Sequence, residues 1–362
     1  MTAHLPVRVL VVDDSATVRA VLRRLFARSP DLEVAGEATN GADAVAAVLA
    51  IGPDVVLMDI DMPGMDGFAA TERIMALRPT PIVILTSQTT SNGVATAFEA
   101  IRRGALEVLA KPTEPAGWDG VALTMPAILH AAAATRLVRP DGVVAVLPPG
   151  RAKARAVGAG ARTGDGGPRP RTLRLVAIGA STGGPQAIHQ LLANLPALLP
   201  VPILIVQHIA AGFEQGLSEW LAADLHRDVA VARDGEVPPA GSVRIAAPGA
   251  HLHLDPGFRI ALDSATPPRG GHRPSVDELF ASCARAHPRE CAGVLLSGMG
   301  RDGAEGLLAL HRAGGWTFAQ DEATSVVFGM PKAAIELGGA DLTMAPGDIA
   351  HALARCWAGP AA

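Results

Sequence analysis

The chain has 362 residues, 49% of them hydrophobic and 18% charged, with 31 basic against 35 acidic side chains and no tyrosine. That length suits two domains of ordinary size, and the lack of any run of about 18 consecutive apolar residues excludes a membrane-spanning helix. Residues 1–6 carry no basic-then-apolar leader, so a cytoplasmic protein is expected; Cys283, Cys291 and Cys356, odd in number and without metal-site spacing, argue against a disulfide framework.

From the N-terminus, strand-like runs at 7–12, 32–35, 54–58, 81–85 and 107–110 alternate with helical patterns, the first of which places Val18, Val21, Leu22, Leu25 and Phe26 on one face. Such alternation predicts a five-stranded parallel sheet. In open parallel sheets ligands bind beyond the carboxyl ends of the strands. There the sequence puts Asp13 and Asp14 after strand one, Asp59 after strand three, Thr86 and Ser87 after strand four, and Lys111 after strand five. Converging carboxylates repel unless a cation sits among them, and a hard ion such as Mg²⁺ takes oxygen ligands of the kind Asp13, Asp14 and Asp59 supply. The plainer alternative is that Asp13 and Asp14 only cap the first helix.

Beyond Lys111-Pro112 an alanine-rich stretch at 127–138 predicts a short helix ended by Pro140. Residues 140–171 are mostly Gly, Pro, Ala and Arg, too poor in large apolar side chains to offset ordering entropy, and predict a flexible linker. The organisation expected is therefore 1–112, a linker at 113–172, and 173–362. The linker is basic, a solvated segment rather than a nucleic-acid grip; the last segment carries thirteen basic against eighteen acidic residues, which argues against a DNA-binding output.

A buried-strand run at 173–178 leads through Gly179-Ala180-Ser181-Thr182-Gly183 into a helical pattern at 186–195. This G-x-S-x-G turn lifts a serine oxygen clear of the backbone; the phosphate-loop reading lacks its lysine. A serine nucleophile needs an imidazole base and a carboxylate to orient it. His208 closes the run 201–207, and Asp302 follows the run 294–296 within Ser297-Gly298-Met299-Gly300-Arg301-Asp302-Gly303. The chain order Ser, His, Asp differs from that of α/β-hydrolases. His251, His253 and Asp255 begin a metallohydrolase-like H-x-H-x-D, although a half-exposed strand explains them better. His272 and Arg273 are candidates near the substrate, Ser275 is a candidate cap for a helix at 276–285, and Trp220 and Trp316 are expected in packing.

Residues 1–112 resemble a response-regulator receiver domain through Val11-Val12-Asp13-Asp14-Ser15, Leu57-Met58-Asp59-Ile60-Asp61-Met62-Pro63, Thr86-Ser87 and Lys111-Pro112. The resemblance implies that Asp59 takes a phosphoryl group from a histidine kinase, that Lys111 pairs with it, and that Thr86 binds it when the switch closes. Where that family has an aromatic three residues before the lysine, this chain has Val108.

With the linker and the second segment, nearly the whole chain resembles the chemotaxis protein-glutamate methylesterases. The motifs are Ile178-Gly179-Ala180-Ser181-Thr182-Gly183-Gly184-Pro185, Val206-Gln207-His208, Ala247-Pro248-Gly249, Gly271-His272-Arg273-Pro274-Ser275-Val276-Asp277, and Leu296 through Ala304. The resemblance implies a flavodoxin-like receiver, a linker and a doubly wound α/β methylesterase domain. It makes Ser181 the nucleophile, His208 the base, Asp302 the partner of the imidazole, and Thr182 and Met299 neighbours of the oxyanion, with no cofactor at that site. It implies phosphorylation-activated hydrolysis of glutamate γ-methyl esters, and glutamine deamidation, on the cytoplasmic helices of a chemoreceptor, with a chemotaxis-type histidine kinase as phosphodonor and neither nucleic-acid binding nor membrane insertion. The alternatives are the same chemistry in a non-flagellar chemosensory pathway, or a non-catalytic phosphorylation-dependent adaptor.

Overall fold

A computed structural model of the chain describes residues 5–87, 98–112, 114, 117–138, 145–147, 173–196 and 200–357. Packing divides the chain into two units, Met1–Pro149 and Gly150–Ala362.

The first unit alternates strand and helix: β1 (Val7–Val12), α1 (Ala16–Phe26), β2 (Leu32–Ala38), α2 (Gly41–Ile51), β3 (Val55–Met58), α3 (Gly67–Leu77), β4 (Ile82–Thr86), a helical segment α4 at 98–102, β5 (Glu107–Ala110) and α5 (Gly117–Ala134). All four strand pairings are parallel, in the order β2-β1-β3-β4-β5. The central strands β1, β3 and β4 are short, largely branched apolar runs, buried as a sheet covered by helices requires, whereas the edge strands β2 and β5 are partly exposed. On one face Val9, Val11, Leu57, Val83 and Leu85 pack against Leu22 and Phe26 of α1 and Met125, Ile128 and Leu129 of α5. β1 neighbours both β2 and β3, so the connections diverge there and leave a crevice at the carboxyl ends of β1 and β3.

α5 begins ten residues before the predicted helix and packs on this sheet. Residues 117–134, which the sequence sets in the partly helical start of the linker, pack with the first unit. Trp118, Val121, Met125, Leu129 and Ala132 form its core-facing stripe, and Pro126 in mid-helix disguises it in sequence. After it, β6 (Arg136–Val138) pairs antiparallel with β7 (Ala145–Leu147). Apart from 145–147, the predicted flexible stretch at 140–171 lies outside the described residues.

The second unit is built on a seven-stranded sheet in the order β10-β11-β9-β8-β14-β15-β16, parallel throughout. Its strands are β8 (Leu175–Ala180), β9 (Ile203–Gln207), β10 (Val229–Val231), β11 (Val243–Ile245), β14 (Cys291–Leu295), β15 (Trp316–Gln320) and β16 (Leu342–Met344). A separate antiparallel hairpin joins β12 (His251–Leu254) to β13 (Ile260–Asp263). The helices are α6 (Gly184–Ala193), α7 (Phe213–Leu225), α8 (Val276–Ala286), α9 (Ala304–Arg312), α10 (Met330–Glu336) and α11 (Pro346–Trp357). Leu279, Phe280 and Cys283 of α8 and Leu307 and Leu310 of α9 form one core with Leu175, Ala177, Cys291 and Leu295 of the sheet. Trp220 stacks on His189 and Trp316 meets Phe318 edge-on. From β8 the chain winds outward through β9 on one side and β14 on the other, so the switch point of this sheet lies at the carboxyl end of β8.

Candidate active site and phosphoacceptor pocket

β8 runs two residues further than the sequence predicts and ends at Ala180, so Ser181 is the first residue beyond it. Gly183 follows in the left-handed region, with φ of 73°, and starts α6. Close packing explains the small residues of this turn. A side chain at Gly179 would bring a carbon within 2.0 Å of Val276, and one at Gly184 within 2.0 Å of the Gln207 amide oxygen.

The next strand outward delivers His208, whose N–H donates to the Ala180 carbonyl (2.9 Å), so the residue beside Ser181 and the end of β9 are joined through the backbone. Gln207, buried, fastens the same corner: its Nε2 donates to the Ser181 carbonyl (2.8 Å) and to the His208 carbonyl (2.9 Å). From the other side, the Ser181 N–H donates to the Ser297 carbonyl (3.0 Å), and a Cβ on Gly298 would lie 2.8 Å from that of Ser181. Ser297 Oγ donates to the Thr182 carbonyl (2.7 Å).

Asp302 lies beyond β14, buried, and His208 Nε2 donates to its Oδ2 (2.8 Å). The carboxylate has three further donors: Ser275 Oγ at 2.7 Å, Val276 N–H at 2.8 Å and Asp277 N–H at 3.0 Å. Ser275 stands at the N-cap of α8, as the sequence predicts, but its side chain makes no cap bond and donates to Asp302, whose carboxylate takes the first N–H groups of the helix. Burial pushes the Asp302 pKa up, but the hydrogen bond and charge of His208, then Ser275 and Val276, override it and hold it down at about 2. A carboxylate so fixed keeps the imidazole proton on Nε2. Nδ1 is buried and has no partner among the described residues, so it presents the free lone pair.

Thr182 is buried and Met299 is exposed; among the described residues neither backbone N–H has an acceptor in the protein. The sequence alone points to neither His272 nor Ser275 as a neighbour of the base. His272 stacks face to face on His208, with centroids 3.9 Å apart and planes 4° from parallel. Arg273 faces away, its Nη1 donating to the Ser264 carbonyl at 3.0 Å. The H-x-H-x-D cluster is dismantled: Ser275 N–H donates to His251 Nδ1 (3.2 Å), His251 Nε2 donates to the Pro267 carbonyl (3.2 Å), and Asp255 accepts from Gly257 and Arg259 in a turn.

In the first unit Asp13, Asp14 and Asp59 bring ligand oxygens within 4.8 Å of one another at the crevice between β1 and β3. Lys111 Nζ lies 2.8 Å from Asp13 Oδ2 and 2.6 Å from Asp59 Oδ2. Asp59 also accepts from the Ile60 N–H (2.8 Å), and Asp13 from the Ser15 N–H (2.9 Å). The helix cap of α1 is Ser15, so the two aspartates are not consumed by capping. Burial raises the Asp59 pKa, with Lys111 working against it. Three carboxylates this close, one of them exposed, form an all-oxygen donor set that fits a hard divalent cation. Thr86, buried, ends β4 and accepts the Lys111 N–H through its carbonyl (2.7 Å), while Ser87, Pro112 and Trp118 line the mouth of the pocket. Val108 is buried in β5.

Residues 176–353 match the CheB methylesterase family and residues 9–117 the response regulator receiver domain. The protein-glutamate methylesterase/protein-glutamine glutaminase 2 of Anaeromyxobacter dehalogenans is 44% identical, covering 96% of this chain and 96% of its own length. The corresponding protein of Symbiobacterium thermophilum is 42% identical, covering 97% of each chain. The crystal structure of the Thermotoga maritima CheB methylesterase catalytic domain is 36% identical, covering 51% of this chain and 98% of that one with a TM-score of 0.49.

Proposed function

The chain belongs to the CheB methylesterase family, with a receiver ahead of the catalytic segment, and from that premise we propose a phosphorylation-activated protein-glutamate methylesterase and protein-glutamine glutaminase. The observation that carries the reading is the clamp on the imidazole: Asp302, pinned by three donors from the start of α8, holds His208 with Nδ1 free, one backbone hydrogen bond away from Ser181.

Ser181 Oγ attacks the γ-carbonyl carbon of a glutamate methyl ester while its proton passes to His208 Nδ1. Asp302 offsets the resulting imidazolium charge, and the N–H groups of Thr182 and Met299 are the donors for the developing oxyanion. The carbon–oxygen bond to the methoxy group breaks, the proton on His208 goes to that oxygen, and methanol leaves. Water then gives a proton to His208 and attacks the acyl carbon; the bond to Ser181 breaks and the serine regains its proton. With glutamine the leaving group is ammonia. No cofactor enters these steps.

In the receiver, Asp59 Oδ is the phosphoryl acceptor from a phosphohistidine kinase, Lys111 pairs with the added charge, and Thr86 offers its hydroxyl to it. Asp13, Asp14 and Asp59 would hold Mg²⁺, which when bound neutralises charge on the incoming phosphoryl group. The substrate is the cytoplasmic helices of a chemoreceptor, where each restored carboxylate changes the charge of the bundle and resets signalling. The proposed location is the cytoplasm, where that substrate lies; among the described residues no helix is long and apolar enough to cross a membrane. The organisation we propose is a receiver unit, a connecting segment and a catalytic unit.

Methanol release from radiolabelled, methylated receptor membranes tests the reading. Ser181→Ala is expected to abolish release while Asp59 still accepts a phosphoryl group; release that survives the substitution rules out the serine hydrolase.

A further inference from the structure

We infer that His272 is a positioning residue for the base, a neutral aromatic plate that fixes the plane of His208 and stabilises its imidazolium form during acyl transfer. The inference deepens the Ser181–His208–Asp302 reading and rests on it. Its ground is the parallel contact of the two imidazoles, 3.9 Å apart with planes 4° from parallel, together with the way the chain holds His272 in place. Arg269 and His272 exchange backbone hydrogen bonds of 3.1 and 3.0 Å across Gly270 and Gly271, whose φ values are 59° and 87°. This makes a two-residue hairpin tip of left-handed glycines. Arg269 ties the hairpin down, reaching Glu278 at 2.9 Å, Glu305 at 3.0 Å and Asp277 at 3.7 Å, so both α8 and α9 anchor it. The neighbouring Arg273 is spent on the Ser264 and Thr266 carbonyls.

An imidazole edge is already fixed by Asp302, but one hydrogen bond leaves the ring free to rock about it; a second ring laid on its face removes that freedom. When His208 takes the serine proton, its charge lies over the π face of a neutral ring, an attractive arrangement. Two protonated rings at this distance would repel. Burial and the His208 charge both work to keep His272 neutral, with Asp302 the opposing influence. The charged group facing the pair is Asp302 from the segment before α9, while Arg269 in the hairpin is engaged by its three carboxylates.

The test compares His272→Ala, His272→Phe and His272→Arg in the full chain by methanol release from methylated receptor membranes, with Ser181→Ala and His208→Gln alongside. Alanine is expected to lower kcat by about 3- to 30-fold, the range a cation over an aromatic face covers, with KM nearly unchanged. Phenylalanine, which keeps the plate, is expected to restore kcat most of the way. Arginine places a fixed charge over the imidazole and is expected to move the acid limb of kcat/KM to lower pH. An alanine variant with full kcat, a phenylalanine variant as slow as alanine, or an unmoved acid limb in the arginine variant overturns the inference. Activity persisting in Ser181→Ala or His208→Gln overturns instead the reading on which it rests.

Discussion

Two adjacent carboxylates at the start of α8 are driven in opposite directions by their surroundings. Asp302, held at about 2, folds best ionised. Measured against an ordinary aspartate, it contributes about 2–3 kcal/mol of stability above pH 4, which is lost as pH falls toward 2. Asp277 is raised to about 6 by burial, with the Gly306 N–H bond opposing and the Asp302 charge adding to the rise. Its folded form favours the proton, so its contribution is full below about pH 4 and lost as pH climbs through 6. Asp277→Asn keeps an oxygen for the Gly306 N–H (2.7 Å) without the charge. It is expected to raise Tm by roughly 2–6 °C at pH 8 and not at pH 4; equal shifts at both pH values in thermal melts would assign the effect to packing. In the receiver, Lys111 is the cation that lets Asp13 and Asp59 sit buried together. Lys111→Met is expected to destabilise the first unit by about 3–5 kcal/mol, as loss of one partner from a buried charge cluster does, and added Mg²⁺ should raise the melting temperature of the variant more than that of the parent. Calorimetry with and without Mg²⁺ decides; an equal rise in both would mean that the lysine does not screen the aspartates.

At the level of elements, the elbow between β8 and α6 depends on a backbone shape as much as on the serine. Gly183 has φ of 73°, and a Cβ there would fall 2.4 Å from the Cβ of Val326, a stiff branched side chain. Gly183→Ala is therefore expected to cost about 2 kcal/mol or more and to lower kcat by displacing Ser181. Gly120 in α5 has open space at its Cβ position, and Gly120→Ala is expected to stabilise by about 0.5–1 kcal/mol. Denaturant melts of the two variants check the contrast, which disappears if the elbow tolerates a side chain. The same elements show what sequence reveals. The central strands of both sheets are largely apolar runs, and a serine and a histidine directly beyond two strands, with an aspartate in the loop after a third, stood out because a parallel sheet gathers strand ends. α5 was hidden: Pro126 interrupts the pattern, and the alanine-rich second half drew attention from Trp118 and Val121, which start its buried stripe. Ser275 does occupy the N-cap position of α8, but the carboxylate that takes the first N–H groups arrives from Asp302, a residue remote in sequence. No periodicity could disclose the His208–His272 stack, since it depends on where a glycine hairpin sets its last residue.

At the scale of the whole molecule, the two sites share no residue: the carboxylate pocket belongs to Met1–Pro149 and the imidazole clamp to Gly150–Ala362. On the proposed function, phosphorylation at Asp59 would govern Ser181 through an equilibrium between states of the chain that differ in access to the cleft or in its geometry. Such an equilibrium is inexpensive. Keeping nine molecules in ten in an inactive state would take about 1.4 kcal/mol, and a shift of that size would give the tenfold activation proposed on phosphorylation. Each unit has a hydrophobic core of its own, so the catalytic unit is expected to fold without the receiver. A chain lacking residues 1–140 should hydrolyse receptor methyl esters faster than the unphosphorylated whole and close to the rate of the phosphorylated whole. Asp59→Asn in the whole chain should stay at the slow rate whether or not a phosphodonor is present. The ratio of truncated to whole rates then measures the inhibitory equilibrium directly. A truncated chain slower than the unphosphorylated whole would show that the receiver assists catalysis rather than restraining it, because a unit that only obstructs cannot lower the rate by its removal.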